Sequence, residues 1–148
     1  MYAQLIDGAV AAYPVDVRQA HPSTSFPSAW PGGEVDGLVY VLVAYVAPPA
    51  VDYTQTVTEA TPAQINGVWS QVWTVAPASQ NVIDERLAAQ WAVVRADRNQ
   101  RLASCDWTQL PDSPLSAEVK AQWATYRQAL RDVTQQPNPF AIVWPTTP

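Results

Sequence analysis

The sequence predicts an α+β protein in which a small N-terminal antiparallel β-sheet precedes an antiparallel αα-hairpin and an extended, proline-rich C-terminal tail. Three observations indicate this class. Asp-Gly and Asn-Gly dipeptides separate β-rich runs in the first half, Ala, Gln, Arg, Leu and Trp recur with helical spacing in the second half, and four prolines follow Gln135. Because the composition changes near Ala78, we expect a β-rich N-terminal domain over residues 1–78 and a helical hairpin with its tail over residues 79–148.

Two dipeptides predict β-hairpins. Asp7-Gly8 lies between the apolar runs Tyr2–Ile6 and Ala9–Tyr13, and Asn66-Gly67 precedes the β-rich run Val68–Val75. A type I′ turn needs a positive φ at both central residues, which Asn, Asp and Gly adopt most readily. We therefore expect a tight hairpin at each dipeptide.

The rest of the first half alternates between loop and strand. Residues 14–37 hold four prolines and a Gly-Gly pair, so we expect an ordered loop with at most one helical turn near residues 15–20. Leu38–Ala47 is rich in β-branched and aromatic residues and is typical of a strand buried on both faces. Residues 53–59 alternate and present threonines on one face. We expect all these strands to join one small antiparallel sheet that ends at Pro77.

The first long helix is expected from about Asn81 to Ser104. Ser79 or Asn81 can cap it, and Asp84 and Glu85 are expected in its first turn, near the positive end of the helix dipole. Its apolar stripe steps mostly by three or four residues and predicts one buried face. The stripe consists of Ile83, Leu87, Trp91, Val94, Leu102 and Cys105.

The second long helix is expected from about Ser116 to Val133, with Ser116 as its N-cap and Glu118 in its first turn. Its apolar stripe has the most regular spacing in the chain. The stripe consists of Leu115, Val119, Trp123, Tyr126, Leu130 and Val133. The short connection Asp106–Pro114 predicts that the two helices pack as an antiparallel αα-hairpin.

The tail carries an apolar segment, Phe140–Trp144, bracketed by prolines. Prolines prevent a continuous helix over the tail. Two placements for the segment stay open. It either lies over the groove of the helical hairpin or adds to the edge of a sheet.

The composition argues against several function classes. One histidine, His21, and one cysteine, Cys105, supply neither a nucleophile–base pair nor the three or four ligands of a zinc site. The net charge is −5 and the basic residues are interleaved with acids, so no basic face for nucleic acid is formed. The longest apolar run ends at Pro48-Pro49 and is too short to span a membrane. We expect no catalytic residue, metal or cofactor, and neither a nucleic-acid nor a membrane partner.

Seven tryptophans are the unusual feature of the composition. Trp91 and Trp123 lie on helix stripes and are expected in the core, while Trp69 and Trp73 share one face of a strand. Three others lie beside prolines or turns, namely Trp30, Trp107 and Trp144. For these three, core packing and partner contact both stay open, because Trp is frequent at the energetic centres of protein interfaces.

The second half resembles a known family in three motifs. They are D-W-T-Q-L-P-D at Asp106–Asp112, W-x-x-Y-R-x-x-L-R-D at Trp123–Asp132 and P-F-A-I-V-W-P at Pro139–Pro145. Over about residues 80–148 they resemble the C-terminal module of small tailed-bacteriophage proteins, the tail fibre assembly or tail assembly chaperone-like family. The first half, with S-F-P-S-A-W-P at Ser25–Pro31, resembles the front portion of such proteins more weakly.

The resemblance implies a non-enzymatic phage tail protein, a virion structural or accessory component that binds tail, baseplate or fibre proteins. Copies of the chain itself in a symmetric assembly are a further partner that it allows. Two alternatives stay open: a tail fibre assembly chaperone absent from the mature particle, and a carbohydrate-contacting tail module. The expected location is the host cytoplasm during assembly and then the virion tail.

Arginines three or four residues apart on the two helices predict a charged outer face, with Asp97 and Asp132 as available partners. Asp106-Trp107 is expected to anchor the interhelix turn, with the indole packed and the carboxylate capping. The candidate partner-binding residues are Trp30, Arg95, Arg98, Trp107, Arg127, Arg131, Phe140 and Trp144.

Overall fold

The structure, a computed structural model, describes every residue from Met1 to Pro148 and is an α+β protein with an N-terminal antiparallel sheet. Two compact units make up the chain, Met1–Ala78 and Ser79–Pro148. The first contains β1 (Tyr2–Ile6), β2 (Ala9–Val15), α1 (Val17–Ala20), β3 (Gly32–Val35), β4 (Leu38–Leu42), β5 (Gln55–Ile65) and β6 (Val68–Pro77). The second contains α2 (Gln80–Ser104), a 3₁₀ turn (Asp106–Gln109), α3 (Ala117–Asp132) and a second 3₁₀ turn (Val133–Gln135). None of these helices combines the length and the apolar character needed to cross a membrane.

The first unit contains two sheets, whereas the sequence predicted one. β1 to β4 form a four-stranded antiparallel sheet in the order β2-β1-β4-β3, and β5 and β6 form a separate two-stranded sheet. Both predicted hairpins are confirmed: Asp7-Gly8 joins β1 to β2, and Asn66-Gly67 joins β5 to β6. All four of these residues have φ between 51° and 80°, as type I′ turns require.

β3 is a strand, although the prolines and the Gly-Gly pair of residues 14–37 predict a loop there. It pairs with β4 across Asp36-Gly37, whose φ values of 51° and 77° repeat the geometry of the other two hairpins. A Cβ on Gly32 would come within 2.5 Å of the Tyr40 carbonyl oxygen, so β3 can approach β4 only with glycine at that position.

The expectation of a long strand over Leu38–Ala47 is wrong in length and in burial. β4 ends at Leu42, and Leu38, Val39 and Leu42 are exposed. The buried residues in this stretch are Tyr40 and Val43. The run of β-branched residues therefore reflects strand propensity more than burial on both faces.

An aromatic loop covers one face of the four-stranded sheet. Tyr2 lies opposite Leu42, and Gln4 opposite Tyr40, so the two tyrosines share this face. The Tyr2 hydroxyl donates to the Trp30 carbonyl at 2.7 Å, and the Trp30 ring lies 5.2 Å from Tyr2 and 4.9 Å from Phe26 between ring centroids. Trp30 is thus packed inside the first unit.

His21 fastens the start of this loop to the sheet. Its Nε2 lies 2.9 Å from the Tyr40 hydroxyl, and its Nδ1 lies 2.8 Å from Asp36 Oδ2. The side chain of His21 is nearly buried. Both ring nitrogens therefore have partners, and the histidine links the end of α1 to the β3–β4 turn.

Gln71 joins the two sheets of the first unit. Its backbone N–H donates to the Ala44 carbonyl at 3.0 Å, beside a parallel bridge between Ala44 and Ser70. Its side chain is 3% exposed, accepts from Val46 N at 3.0 Å, and donates to Glu59 Oε1 at 2.7 Å. It also donates to the Tyr13 hydroxyl at 3.2 Å. A single amide therefore connects β6 to β2, β5 and the segment after β4.

The two long helices start where the sequence analysis placed them, with one difference. Ser116 caps α3 by accepting from Val119 N at 3.3 Å, as predicted. Ser79 is the N-cap residue of α2 without a side-chain bond, and because α2 begins at Gln80, Asp84 lies beyond the first turn. Glu85 does too, so the expected charge at the helix start is wrong.

The helices differ in how far they are buried. Val94 is the one buried residue of α2, whereas α3 buries Tyr126 and Leu130. Trp91 and Trp123 are half-buried. The antiparallel αα-hairpin and the extended tail stay predictions.

Alkaline pH should weaken the first unit through Tyr13. Burial, and then the hydrogen bond to Glu59, raises the pKa of the Tyr13 phenol above its ordinary value. The unfolded chain loses this proton near pH 10, while the folded chain retains it. The stabilisation of the folded state by the protonated Tyr13 phenol is therefore complete below about pH 10 and is lost as pH rises through the raised pKa.

We expect the urea midpoint of the first unit, followed by circular dichroism, to fall more steeply with pH above about 10 in the wild type than in Tyr13→Phe. Tyr45→Phe, which removes a phenol from a side chain that is 75% exposed, is the control and should keep the wild-type slope. Identical slopes in all three proteins would contradict the assignment.

Candidate partner-binding site

The guanidinium of Arg127 organises the junction between α2 and α3. Its Nη1 donates to the Leu102 carbonyl at 2.8 Å and to Cys105 Sγ at 3.2 Å, and its Nη2 pairs with Asp106 Oδ1 at 2.7 Å. Burial lowers the pKa of Arg127, but the bonds to Asp106 and Cys105 outweigh it and the net pKa is raised. The residue is permanently charged and faces inward.

Thr108 fixes the 3₁₀ turn from the inside. Its side chain is fully buried, and its hydroxyl donates to the Cys105 carbonyl at 2.7 Å. Cys105 is itself buried, and its thiol donates toward the Arg101 and Leu102 carbonyls. The last carbonyls of α2, which have no partner in the helix, are satisfied in this way.

Trp107 and Leu110 point outward from this turn. They are 47% and 51% exposed. The expected packed indole is therefore wrong, because the inward position of the turn is taken by Thr108. The Asp106 carboxylate pairs with Arg127 across the junction, so the expected cap is replaced by an ion pair.

An apolar cluster packs at the junction between α2 and α3. Cys105, Tyr126 and Leu130 are its buried members, and Leu102, Trp123 and Trp144 pack against them. Trp123 meets Tyr126 edge to face, with 5.6 Å between ring centroids. This arrangement confirms the core role of Trp123.

Trp144 brings the C-terminal tail onto α2. The Arg101 guanidinium carbon lies 4.4 Å from the centre of its ring, a cation–π contact. Arg101 is held in turn by Asp97, 2.9 Å away, which raises the pKa of Arg101. Gln90 Nε2 donates to the Pro139 carbonyl at 3.3 Å. These contacts place Pro139 and Trp144 against α2.

The predicted site residues fall into two groups. Trp30, Arg127 and Trp144 make contacts within their own units, as described above. Arg95 and Arg131 are exposed, Arg98 is half-buried, and Phe140 is exposed at the tail. The expected acidic partners pair elsewhere on the helix surface: Asp97 binds Arg101, and Asp132 accepts from Gln128 at 3.1 Å.

Three exposed apolar residues were not predicted as site residues. Leu110 directly follows the 3₁₀ turn, Val93 lies on α2, and Val143 lies in the tail. Leu110 follows the end of the 3₁₀ turn at Gln109, so the spacing from Trp107 did not predict that both side chains are exposed. No group of three or more His, Cys, Asp or Glu side chains lies close enough together to hold a metal ion.

Comparison with known proteins supports the resemblance of the second half. Residues 91–148 match the family described as phage tail assembly chaperone protein. The matched segment includes the 3₁₀ turn, α3 and the tail, and it confirms the resemblance predicted from the three motifs. No curated protein and no solved structure matches the chain.

Replacing Arg127 with methionine should destabilise the second unit by ~2–3 kcal/mol, because the Leu102 carbonyl loses its charged hydrogen-bond donor and Asp106 loses its ion-pair partner. Arg131→Met is the matched control: Arg131 is exposed and donates to Gln128 alone, so its loss should cost less than ~0.5 kcal/mol. Urea unfolding of both variants measures the difference, and equal losses would refute the inward role of Arg127.

Proposed function

We propose that this chain is a non-enzymatic bacteriophage tail protein that binds another tail, baseplate or fibre protein during tail assembly. One observation carries the proposal. Every large apolar side chain that is exposed in the second unit lies inside the segment similar to phage tail assembly chaperones. These side chains are Val93, Trp107, Leu110, Phe140 and Val143.

The 3₁₀ turn is the best placed of these surfaces to bind a protein. Trp107 is exposed on the turn, and Leu110 is exposed directly after it. The turn is held by the Thr108 hydroxyl on the Cys105 carbonyl and by Arg127 on Asp106. Tryptophan dominates binding energy at interfaces, and a side chain presented from a rigid turn loses little freedom on binding. We propose that this pair forms the centre of the interface and that α2 and α3 are the arms of an antiparallel αα-hairpin behind it.

The charge distribution favours a protein partner over nucleic acid. Arg18 is the only Lys or Arg among the first 78 residues, which carry six Asp and Glu, so the whole net charge of −5 belongs to the first unit. Arg18 is occupied by the Phe26 and Pro27 carbonyls. The second unit is electrically neutral. Neither unit offers the concentrated positive face that phosphate backbones require.

Two more specific functions differ in whether the chain remains in the mature particle. We propose that it remains in the particle as an accessory tail component after acting in the host cytoplasm. The alternative, in line with the matched family's description as a phage tail assembly chaperone protein, is a chaperone absent from the mature particle. Quantitative mass spectrometry of purified virions and of tail intermediates separates them: presence in both supports the first, and presence in intermediates alone supports the second.

The double variant Trp107→Ser with Leu110→Ser should lose partner binding. When the chain is co-expressed with the phage tail proteins, we expect recovery of the bound tail protein to fall by roughly 30-fold or more, the effect of removing an interface centre. The variant should stay folded, with an unfolding free energy lowered by no more than roughly 2–3 kcal/mol, because about half of each side chain is already exposed.

The matched control is Ile65→Ser with Val68→Ser at the β5–β6 turn, where both side chains are also about half-exposed. This control should retain full binding. Equal loss in the two double variants would show that general surface hydrophobicity, and not the 3₁₀ turn, drives the association.

A further inference from the structure

The side-chain amide of Gln136 holds the backbone of the tail at Val143. The Val143 N–H donates to Gln136 Oε1 at 2.9 Å, and its carbonyl accepts from Gln136 Nε2 at 2.9 Å. A residue that directs both backbone groups to one side has the conformation of a β-strand. The side-chain amide of Gln136 therefore takes the place that a neighbouring strand would occupy.

The opposite edge of this strand has no partner. In an extended chain, the backbone groups of Ile142 and Trp144 point away from those of Val143. Neither residue makes a backbone hydrogen bond within the chain. The side chains of Ile142 and Trp144 are half-buried toward α2, while that of Val143 is 76% exposed on the other face. Two N–H groups and two carbonyls thus form a free strand edge at Ile142–Trp144.

A cleft lies along the tail, between it and α2. Its volume is about 230 Å³, and its apolar lining includes Val93, Val94, Phe140, Ile142 and Trp144. Val93 and Phe140 are exposed at its rim. A strand laid beside the tail would direct alternate side chains toward this cleft.

We propose that the free edge at Ile142–Trp144 binds an extended β-strand segment of a phage tail protein, which adds to the tail by backbone pairing and places an apolar side chain in the cleft. The proposal rests on the proposed function and names the kind of partner segment. Backbone pairing supplies the attraction, and the cleft selects alternating apolar residues.

A bare strand suits this edge better than a second copy of the chain. Paired strands lie about 4.8 Å apart, whereas packed helices need about 8–10 Å between their axes. In a pair of copies, each tail strand would carry its own α2 beneath it. An extended segment without a helix underneath meets no such obstacle.

The test uses a defined probe, an acetylated and amidated heptapeptide of alternating threonine and valine, with the fully N-methylated peptide as its control. In the free protein, the Val143 amide should be protected from hydrogen exchange, and those of Ile142 and Trp144 should not. Titration with the peptide, followed by NMR, should shift the signals of these two amides and protect them from exchange. Half-saturation is expected at about 1 mM, the affinity of a short peptide that was not selected for binding. The N-methylated peptide should produce neither effect.

Gln136→Ala and Gln135→Ala form a matched pair of variants. The first removes the amide that holds the tail extended, and we expect it to weaken peptide binding about fivefold or more, because the edge is no longer preorganised. Gln135 donates to Asp132 alone, so its variant should bind as the wild type does.

The proposal is overturned if the Ile142 and Trp144 amides stay unshifted at roughly 5 mM peptide, five times the expected half-saturation. It is also overturned if the N-methylated peptide binds equally well, or if both amides are protected in the free protein. Protection that increases with protein concentration, with dimers in sedimentation equilibrium, would assign the edge to a second copy and also overturn it. If the peptide binds but no phage tail protein does, the proposed function alone is contradicted. If a phage tail protein binds but the peptide does not, the free edge alone is contradicted.

Discussion

A charged group is stable in a protein interior only where its hydrogens find acceptors, and Arg127 meets this condition at the end of α2. The last carbonyls of a helix have no partners within it. The Arg127 guanidinium donates hydrogen bonds to the Leu102 carbonyl and the Cys105 sulfur, and it forms an ion pair with the Asp106 carboxylate. The direction of the chain after α2 follows from these bonds. The turn that exposes Trp107, and the cluster around Leu130 that receives the tail, both depend on the junction that this one side chain holds.

Gln71 has the corresponding role in the first unit, with a neutral group in place of a charge. Its side-chain amide is almost completely buried and makes hydrogen bonds with Val46 N, the Glu59 carboxylate and the Tyr13 hydroxyl. Apolar burial in this unit is modest, so a satisfied polar network contributes order that the small core does not supply. Each unit is therefore held at its centre by a long polar side chain that reaches between elements distant in sequence.

Local signals predicted local structure well and tertiary contacts poorly. Asp7-Gly8, Asn66-Gly67 and the Ser116 cap act within a few residues, so their chemistry is readable from the sequence. Asp36-Gly37 carried the same signal, but the prolines around it suggested a loop. Arg127 and Arg131 look alike in sequence, and only the position of the α2 end decides which of them faces inward. For the same reason, the exposure of Trp107 could not be foreseen, since Thr108 is the smaller residue that fits the buried position.

The unequal division of charge between the two units has a consequence for the behaviour of the chain in a crowded cell. Excess negative charge on the first unit gives long-range repulsion between copies, which at physiological salt extends over a Debye length of about 8 Å. The neutral second unit, with its exposed apolar turn, feels no such barrier toward a partner. The charge of the first unit thus opposes self-association of the chain through the exposed apolar side chains of the second.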